Sequence, residues 1–124
     1  MSLRIVIFDD NKNIRDSITL LLQTVPEFEV AGSFSNVLDC IEDVRESKPD
    51  IVLMDIEMPG INGYQTTQQL RAIPQFKTLP VIAMTAHQSD EVRQRCQQAG
   101  MDALISKPIA ADSLAQQLQQ WLQR

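Results

Sequence analysis

The sequence IVLMDIEMPGING at residues 51–63 gives the strongest indication of the architecture of this chain. Four apolar residues run directly into an aspartate, Asp55, and turn-forming residues follow at once. A short continuous apolar run of this kind is typical of a strand buried on both faces of a parallel sheet. Three other runs have the same design, each ending at polar residues: Ile5–Phe8 before Asp9-Asp10, Val81–Met84 before Thr85, and Ala103–Ile105 before Ser106-Lys107.

Strand-like runs alternate with helix-period segments five times along the 124 residues, with Phe28–Ala31 as the short second strand. This alternation predicts an α/β domain with a doubly wound, five-stranded parallel sheet, and right-handed crossovers favour the strand order 2-1-3-4-5. The length fits one domain, so we expect residues 1–124 to form a single unit. Local signals predict the helix ends: Ser35 or Asn36 caps the second helix, residues 64–72 form the third, Ser89 or Asp90 caps the fourth, Gly100 ends it, and Asp112 caps the fifth.

The polar residues at the strand ends define a candidate site, because the carboxyl ends of parallel strands lie along one edge of a sheet. Asp9, Asp10 and Asp55 would crowd together there, at a repulsion of about 4 kcal/mol per pair for a separation of about 4 Å and an effective dielectric of roughly 20. A hard divalent cation relieves this repulsion, and Mg²⁺ is the usual choice where phosphate is handled. With Thr85 and Lys107 nearby, the set predicts metal-assisted phosphoryl transfer. An alternative for Asp9 and Asp10 is capping of the first helix.

Composition and charge exclude several functions. The net charge is −5 and Lys and Arg do not cluster, which argues against nucleic-acid binding. Cys40 and Cys96 lie far apart without neighbouring His, so we expect buried, reduced thiols rather than a metal site or a disulfide. The printed sequence has no apolar stretch near the roughly 20 residues of a membrane span and no signal-peptide pattern. We therefore expect a cytoplasmic protein that does not contact a membrane.

The chain resembles the response-regulator receiver domains of two-component signalling, with their flavodoxin-like (βα)5 fold. The resemblance covers essentially the whole chain. It rests on four motifs that follow one another in the expected order, namely residues 8–11 (FDDN), 53–63 (LMDIEMPGING), 84–86 (MTA) and 106–108 (SKP).

The resemblance implies a role for each site residue. Asp55 would accept the phosphoryl group. Asp9, Asp10, Asp55 and the backbone carbonyl of Glu57 would bind Mg²⁺. Lys107, in a cis bond to Pro108, and Thr85 would contact phosphoryl oxygens. The implied partner is a histidine kinase or a histidine phosphotransfer domain that docks near the first helix, and the implied state is a monomer or weak dimer without turnover as an enzyme. Because no DNA-binding segment follows in the printed sequence, we expect a single-domain regulator or an excised receiver.

The chain also departs from the family pattern. The switch aromatic that usually lies three residues before the lysine is replaced by Leu104, so the coupled movement of Thr85 and an aromatic ring cannot operate in its usual form. Receivers of some hybrid histidine kinases share this feature. Glu57 and His87 occupy the positions two residues beyond Asp55 and Thr85, which in this family tune dephosphorylation.

Two other functional classes compete with a signalling receiver. A phosphatase of the haloacid dehalogenase kind also uses an aspartate and Mg²⁺, but Glu57 has the wrong length for its second acid and the chain has no room for a cap. The other class is a receiver-fold scaffold without signalling function. A compositional border motivates it: 12 of the 16 acidic residues precede Tyr64, whereas 13 of the 14 glutamines follow it. Chance or a Gln-rich lineage would explain this border, and so would the joining of two related receiver segments near Gly63, by nature or by design, which would make the chain a recombined or engineered scaffold.

Overall fold

The computed structural model describes residues 3–57, 63–87 and 89–122. Strands and helices alternate along them. The strands are β1 (Leu3–Phe8), β2 (Phe28–Phe34), β3 (Ile51–Asp55), β4 (Val81–Thr85) and β5 (Ala103–Ser106). The helices are α1 (Lys12–Gln23), α2 (Cys40–Ser47), α3 (Gly63–Arg71), α4 (Asp90–Ala99) and α5 (Ala111–Leu122), with a short 3-10 helix at Pro74–Phe76.

The five strands form one parallel sheet in the order β2-β1-β3-β4-β5. The doubly wound α/β fold with the strand order 2-1-3-4-5 is therefore confirmed. Phe8 of β1 lies opposite Met54 of β3, so the residues that follow them, Asp9 and Asp55, reach the same edge of the sheet. Thr85 of β4 reaches that edge opposite Ser106 of β5.

Each face of the sheet carries its own apolar core, because successive strand residues point to opposite faces. In β1, Ile5 and Ile7 belong to one core, which Ile18 and Leu22 of α1 and residues of α5 complete. Val6 and Phe8 belong to the other core, with residues of α2, α3 and α4. Burial of both faces explains why β1, β3 and β4 are almost continuously apolar. The sheet is thus packed on both faces and positions the residues at its edge.

Two of the predicted helix starts are wrong. The second helix begins at Cys40, not after Ser35 or Asn36, because the side chain of Asn36 accepts a hydrogen bond from the amide of Leu38 (3.0 Å) and holds a turn there. The fifth helix begins at Ala111, so Asp112 lies in its first turn. The 3-10 helix at Pro74–Phe76 was not predicted.

Other predicted boundaries agree with the structure. Ser89 caps α4 through a hydrogen bond from the amide of Val92 (3.2 Å), and Gly100 ends that helix in a left-handed conformation (φ 96°). The third helix spans Gly63–Arg71, within a residue of the prediction at each end. A side chain at Gly63 would come within 2.8 Å of the backbone oxygen of Asp55, so glycine is required where α3 approaches the end of β3.

Both cysteines are free and buried, as expected. Burial raises the pKa of the Cys40 thiol to about 12, and the charge of Asp43 adds to the effect. Burial also raises the pKa of Cys96. Reactivity depends on the thiolate, so neither thiol is poised for redox chemistry near neutral pH. No helix of the described residues is long and apolar enough to span a bilayer.

Arg71, at the end of α3, ties together the edge of the domain opposite the site. Its guanidinium donates to the backbone oxygens of Phe76 (2.9 Å), Leu79 (2.6 Å) and Gly100 (2.8 and 3.0 Å). It also pairs with Asp102 at 2.9 Å. One side chain thus supplies hydrogen bonds to three loop carbonyls, a role that no sequence pattern indicated.

Replacement of Arg71 by Met is expected to lower the free energy of unfolding by about 3 kcal/mol, because it leaves these carbonyls and Asp102 without their donor. Urea denaturation followed by circular dichroism measures the change. Arg45→Met is the matched control, since Arg45 is exposed and pairs with Glu42 on the same helix at 2.9 Å. Such surface pairs contribute under about 1 kcal/mol. Equal effects of the two substitutions would contradict the role given to Arg71.

Candidate functional site

Three carboxylates meet at the carboxyl edge of the sheet. One oxygen each of Asp9, Asp10 and Asp55 lies within 4.8 Å of the others. Asp9 is fully buried and Asp55 is 2% exposed, whereas Asp10 faces solvent. The structure thus brings together the three acidic residues that the sequence placed at the ends of two separate strands.

Asp9 is held in place from several directions. Its Oδ1 accepts a hydrogen bond from the amide of Asn11 (2.9 Å), and the guanidinium of Arg15 donates to its backbone oxygen (2.7 Å). Asn11, not Asp9 or Asp10, caps α1 by accepting from the amide of Ile14. Helix capping therefore does not account for the two aspartates.

The second carboxylate oxygen of Asp9 is incompletely satisfied. Oδ2 is buried and lies 2.9 Å from Lys107 Nζ, within ion-pair distance but outside good hydrogen-bond geometry. Buried carboxylate oxygens are normally hydrogen-bonded or bound to a cation. The oxygen-only donor set and this unsatisfied atom fit a hard divalent cation such as Mg²⁺.

Asp55 ends β3 and has two defined contacts. Its Oδ1 accepts from the amide of Glu57 (2.8 Å), and its Oδ2 lies 3.3 Å from Lys107 Nζ. Burial raises the pKa of Asp55, and the charge of Asp9 adds to this effect. The Glu57 amide and the Lys107 ammonium oppose the rise without cancelling it. The carboxylate is thus largely desolvated at the carboxyl edge of the sheet.

Lys107 reaches into the cluster from the end of β5 and contacts both buried aspartates. Its side chain is 13% exposed, and its bond to Pro108 is cis, as the resemblance implied. Burial alone would lower the pKa of Lys107, but its contacts with Asp9 and Asp55 outweigh burial and raise it. The ammonium is therefore charged, and it pairs with the two buried carboxylates of the cluster.

Thr85 is the fully buried last residue of β4. Its hydroxyl makes a contact with Glu57 that the sequence did not predict. Its hydroxyl lies 2.6 Å from Glu57 Oε1 and 3.1 Å from the backbone oxygen of His87. The amide of Ala86 also donates to Glu57 Oε1 (3.2 Å). The side chain of Glu57 therefore crosses from the loop after β3 to the end of β4. In the sequence, Glu57 was singled out only because it lies two residues after Asp55. That spacing does not predict the direction of the Glu57 side chain.

The other two residues singled out by sequence lie outside this cluster. His87 is exposed and contributes backbone contacts to Thr85, with its amide donating to the threonine oxygen at 3.0 Å. Leu104 of β5 is partly buried and packs against the core on the α4 side of the sheet. The predicted loop residues 58–62 lie outside the described residues.

A groove of about 460 Å³ opens beside the cluster, between α1 and the segment that follows β5. Apolar side chains of Ile14, Ile18, Pro108 and Ile109 line it together with Lys107. It therefore joins the charged site to an apolar surface next to the first helix.

Comparisons with known proteins agree with the geometry. The model of the family described as the response regulator receiver domain matches residues 5–119. Response regulator GacA of Pseudomonas aeruginosa is 33% identical over 119 residues, which are 95% of this chain and 54% of that protein. Sensor histidine kinase RcsC of Salmonella typhi is 39% identical over 87 residues, 70% of this chain and 9% of the kinase. The chain thus spans about half the length of the first relative and under a tenth of the second.

A solved structure gives the same result for the fold. The receiver domain of sensor histidine kinase PA1611 from Pseudomonas aeruginosa PAO1 has a TM-score of 0.87 and 27% identity, covers 100% of both chains, and holds a magnesium ion in its active site cleft. The family match extends over nearly the entire chain, and the fold and the acidic strand ends agree with it. The chain therefore belongs to the response regulator receiver domain family of two-component signalling.

Proposed function

We propose that this chain is a phosphorelay receiver that accepts a phosphoryl group from a phosphohistidine onto Asp55, in a reaction that requires Mg²⁺. One observation carries the proposal: Asp9, Asp10 and Asp55 converge within 4.8 Å, and Lys107 contacts two of them. Receiver domains pair with histidine kinases or phosphotransfer proteins and are in general not turnover enzymes, and the relatives of this chain include a sensor kinase. The donor is therefore a histidine kinase or a histidine phosphotransfer domain.

The proposed transfer forms one bond and breaks another. A carboxylate oxygen of Asp55 attacks the phosphorus, the P–N bond of the phosphohistidine breaks, and its electron pair returns to the imidazole nitrogen. Attack requires the ionised carboxylate, which burial disfavours but the Glu57 amide and the Lys107 ammonium favour. These two contacts therefore lessen the cost of ionising the nucleophile in a desolvated setting.

Asp9, Asp10, Asp55 and the backbone carbonyl of Glu57 would hold the metal. Bound Mg²⁺ supplies positive charge to the phosphoryl oxygens during transfer. The magnesium ion in the related PA1611 receiver and the unsatisfied Oδ2 of Asp9 support this assignment. Lys107 supplies a second positive group from the end of β5, and its ammonium would move from the carboxylates to a phosphoryl oxygen.

Output from the phosphorylated state would start at Thr85, whose hydroxyl follows the new acceptor. Leu104 offers no aromatic ring for the usual coupled movement, so we propose that the chain relays the phosphoryl group rather than switching partner affinity strongly. The kinase relative supports a relay role.

The groove between α1 and the segment after β5 is the proposed docking surface for the histidine-bearing partner. It places apolar contacts beside Lys107 and Asp55. A net charge of −5 does not favour nucleic acid as a partner, and the free buried thiols are compatible with the cytoplasm. We propose that residues 1–124 act as one domain and as a monomer or weak dimer.

Acetyl phosphate tests this function without a cognate kinase, because it is a small phosphoryl donor. Intact-mass spectrometry after incubation with acetyl phosphate and Mg²⁺ is expected to show a gain of one phosphoryl group. The same incubation with EDTA is expected to show none, since the metal would be removed from Asp9 and Asp10. The absence of any gain with Mg²⁺ would contradict the proposal and favour a scaffold without signalling function.

A further inference from the structure

The Glu57 carboxylate occupies hydrogen-bond donors that a phosphoryl group on Asp55 would need. Its Oε1 accepts from the Thr85 hydroxyl at 2.6 Å and from the Ala86 amide at 3.2 Å. At the same residue, the Glu57 amide donates to Asp55 Oδ1 at 2.8 Å. One residue therefore contacts both the proposed nucleophile and the proposed phosphoryl-binding strand end.

A threonine hydroxyl has one proton to donate. The His87 amide donates to Thr85 Oγ1 at 3.0 Å, so that oxygen already serves as an acceptor, and its own proton has its shortest contact with Glu57. The proton cannot serve Glu57 and a phosphoryl oxygen at once. Phosphorylation that uses Thr85 therefore requires Glu57 to leave.

Charge repulsion also favours the departure of Glu57 when Asp55 is phosphorylated. Glu57 adds a carboxylate beside a site where Asp9, Asp10 and Asp55 already converge and Lys107 pairs with two of them. An incoming phosphoryl group brings further negative charge, and like charges a few ångströms apart repel. Glu57 is exposed, so its side chain can turn into solvent without a change in the core.

We propose that Glu57 is an internal competitor for the phosphoryl-oxygen position at Thr85 and Ala86, and that it slows phosphorylation of Asp55 until it is displaced. The inference rests on the proposed function, and it gives Glu57 a role before the phosphoryl group is transferred to Asp55. In the unphosphorylated protein, Glu57 Oε1 would thus occupy the position that a phosphoryl oxygen takes after transfer.

Three substitutions separate occupation of the site from simple charge repulsion. Glu57→Ala removes both the charge and the contact. Glu57→Asp keeps the charge on a side chain one methylene shorter, which cannot reach Thr85 from the same backbone. Glu57→Gln keeps the length and an acceptor oxygen but loses the charge. Glu46→Gln, on the exposed surface of α2, is the control for net charge.

The first measurement is the rate of mass gain with acetyl phosphate and Mg²⁺. We expect Glu57→Ala and Glu57→Asp to react about 10-fold faster than the parent, the change that loss of a charge-assisted hydrogen bond would give. Glu57→Gln is expected to lie between them and the parent, and Glu46→Gln to match the parent. A Glu57→Asp protein that reacts at the parental rate, or slower, would overturn the competitor role.

The second measurement is amide hydrogen exchange at Ala86 in metal-free protein, which reports the contact itself without phosphorylation. Ala86 is exposed, so its amide is expected to exchange several-fold faster in Glu57→Ala and Glu57→Asp and unchanged in Glu46→Gln. Equal exchange in all four proteins would overturn the inference and leave the proposed function intact. Failure of every protein to gain mass would overturn the proposed function and the inference together.

Discussion

Asp55→Asn protein is expected to take up no phosphoryl group from acetyl phosphate and Mg²⁺ under conditions in which the parent is phosphorylated. Asparagine has nearly the same shape, and its side-chain oxygen can still accept from the Glu57 amide, as Asp55 does at 2.8 Å. It lacks the carboxylate that attacks phosphorus, so the rate should fall by at least about 10³-fold. Intact-mass spectrometry measures the uptake.

The same substitution should not destabilise the domain. In the metal-free protein Asp55 is a buried carboxylate whose pKa is raised by burial and by Asp9, so its ionised form costs folding free energy. We expect the free energy of unfolding of Asp55→Asn at neutral pH to equal or exceed that of the parent. Asp16→Asn is the control, because Asp16 is exposed and pairs with Lys12 on the same helix at 3.4 Å. Phosphoryl uptake by a folded Asp55→Asn protein would show that another residue is the acceptor.

The second large effect is expected for Lys107→Met, and the size of its effect on stability depends on the metal. Lys107 contacts Asp9 at 2.9 Å and Asp55 at 3.3 Å, and both carboxylates are buried. Removal of one partner from a buried ion pair typically costs about 3–5 kcal/mol. We therefore expect the free energy of unfolding of the metal-free protein to fall by roughly 3 kcal/mol.

Saturating Mg²⁺ is expected to restore most of that loss, because a cation among Asp9, Asp10 and Asp55 replaces the missing positive charge and stabilises the folded state that binds it. The phosphorylation rate should stay about 100-fold low, since no ammonium remains for the phosphoryl oxygen. Denaturation with and without Mg²⁺ and the mass assay measure the two effects. Lys12→Met, at a 79% exposed side chain, is the control. A Lys107→Met protein that Mg²⁺ stabilises no more than the parent would contradict the shared site.

The strand ends were predictable because their pattern is simple. Apolar runs ending at Asp9, Asp55 and Thr85 read as strands buried on both faces, and parallel strands necessarily bring their carboxyl ends to one edge. The ends of helices with strong caps were equally predictable, as at Ser89 and Gly100 of α4. The start of α2 was not, because Asn36 forms a local turn in place of a cap.

The positions of several side chains could not be predicted from the sequence. Glu57 lies in a loop without periodicity, and its contact with Thr85 joins residues 28 positions apart. Arg71 looked like an ordinary helix end, yet it spans 31 positions to reach Asp102. Such contacts depend on the three-dimensional course of several loops, whereas hydrophobic periodicity depends on one element at a time.

The compositional border at Gly63 is seen mainly in the exposed glutamines that follow it. After Gly63, the glutamines of the described residues are all exposed except Gln117, which is partly buried. Both apolar cores draw residues from the two sides of the border. The glutamines that define the border therefore lie mostly on the surface, and recombination of two receiver sequences stays a prediction.

The central claim is that Asp55 itself carries the phosphoryl group. Borohydride reduces an aspartyl phosphate to homoserine and leaves free aspartate unchanged, so it marks the phosphorylated residue permanently. Peptide mapping of the reduced protein after treatment with acetyl phosphate and Mg²⁺ is expected to find homoserine at position 55. Intact Asp55 with the mark at any other residue, or no mark at all in protein that has gained phosphoryl mass, would contradict the account.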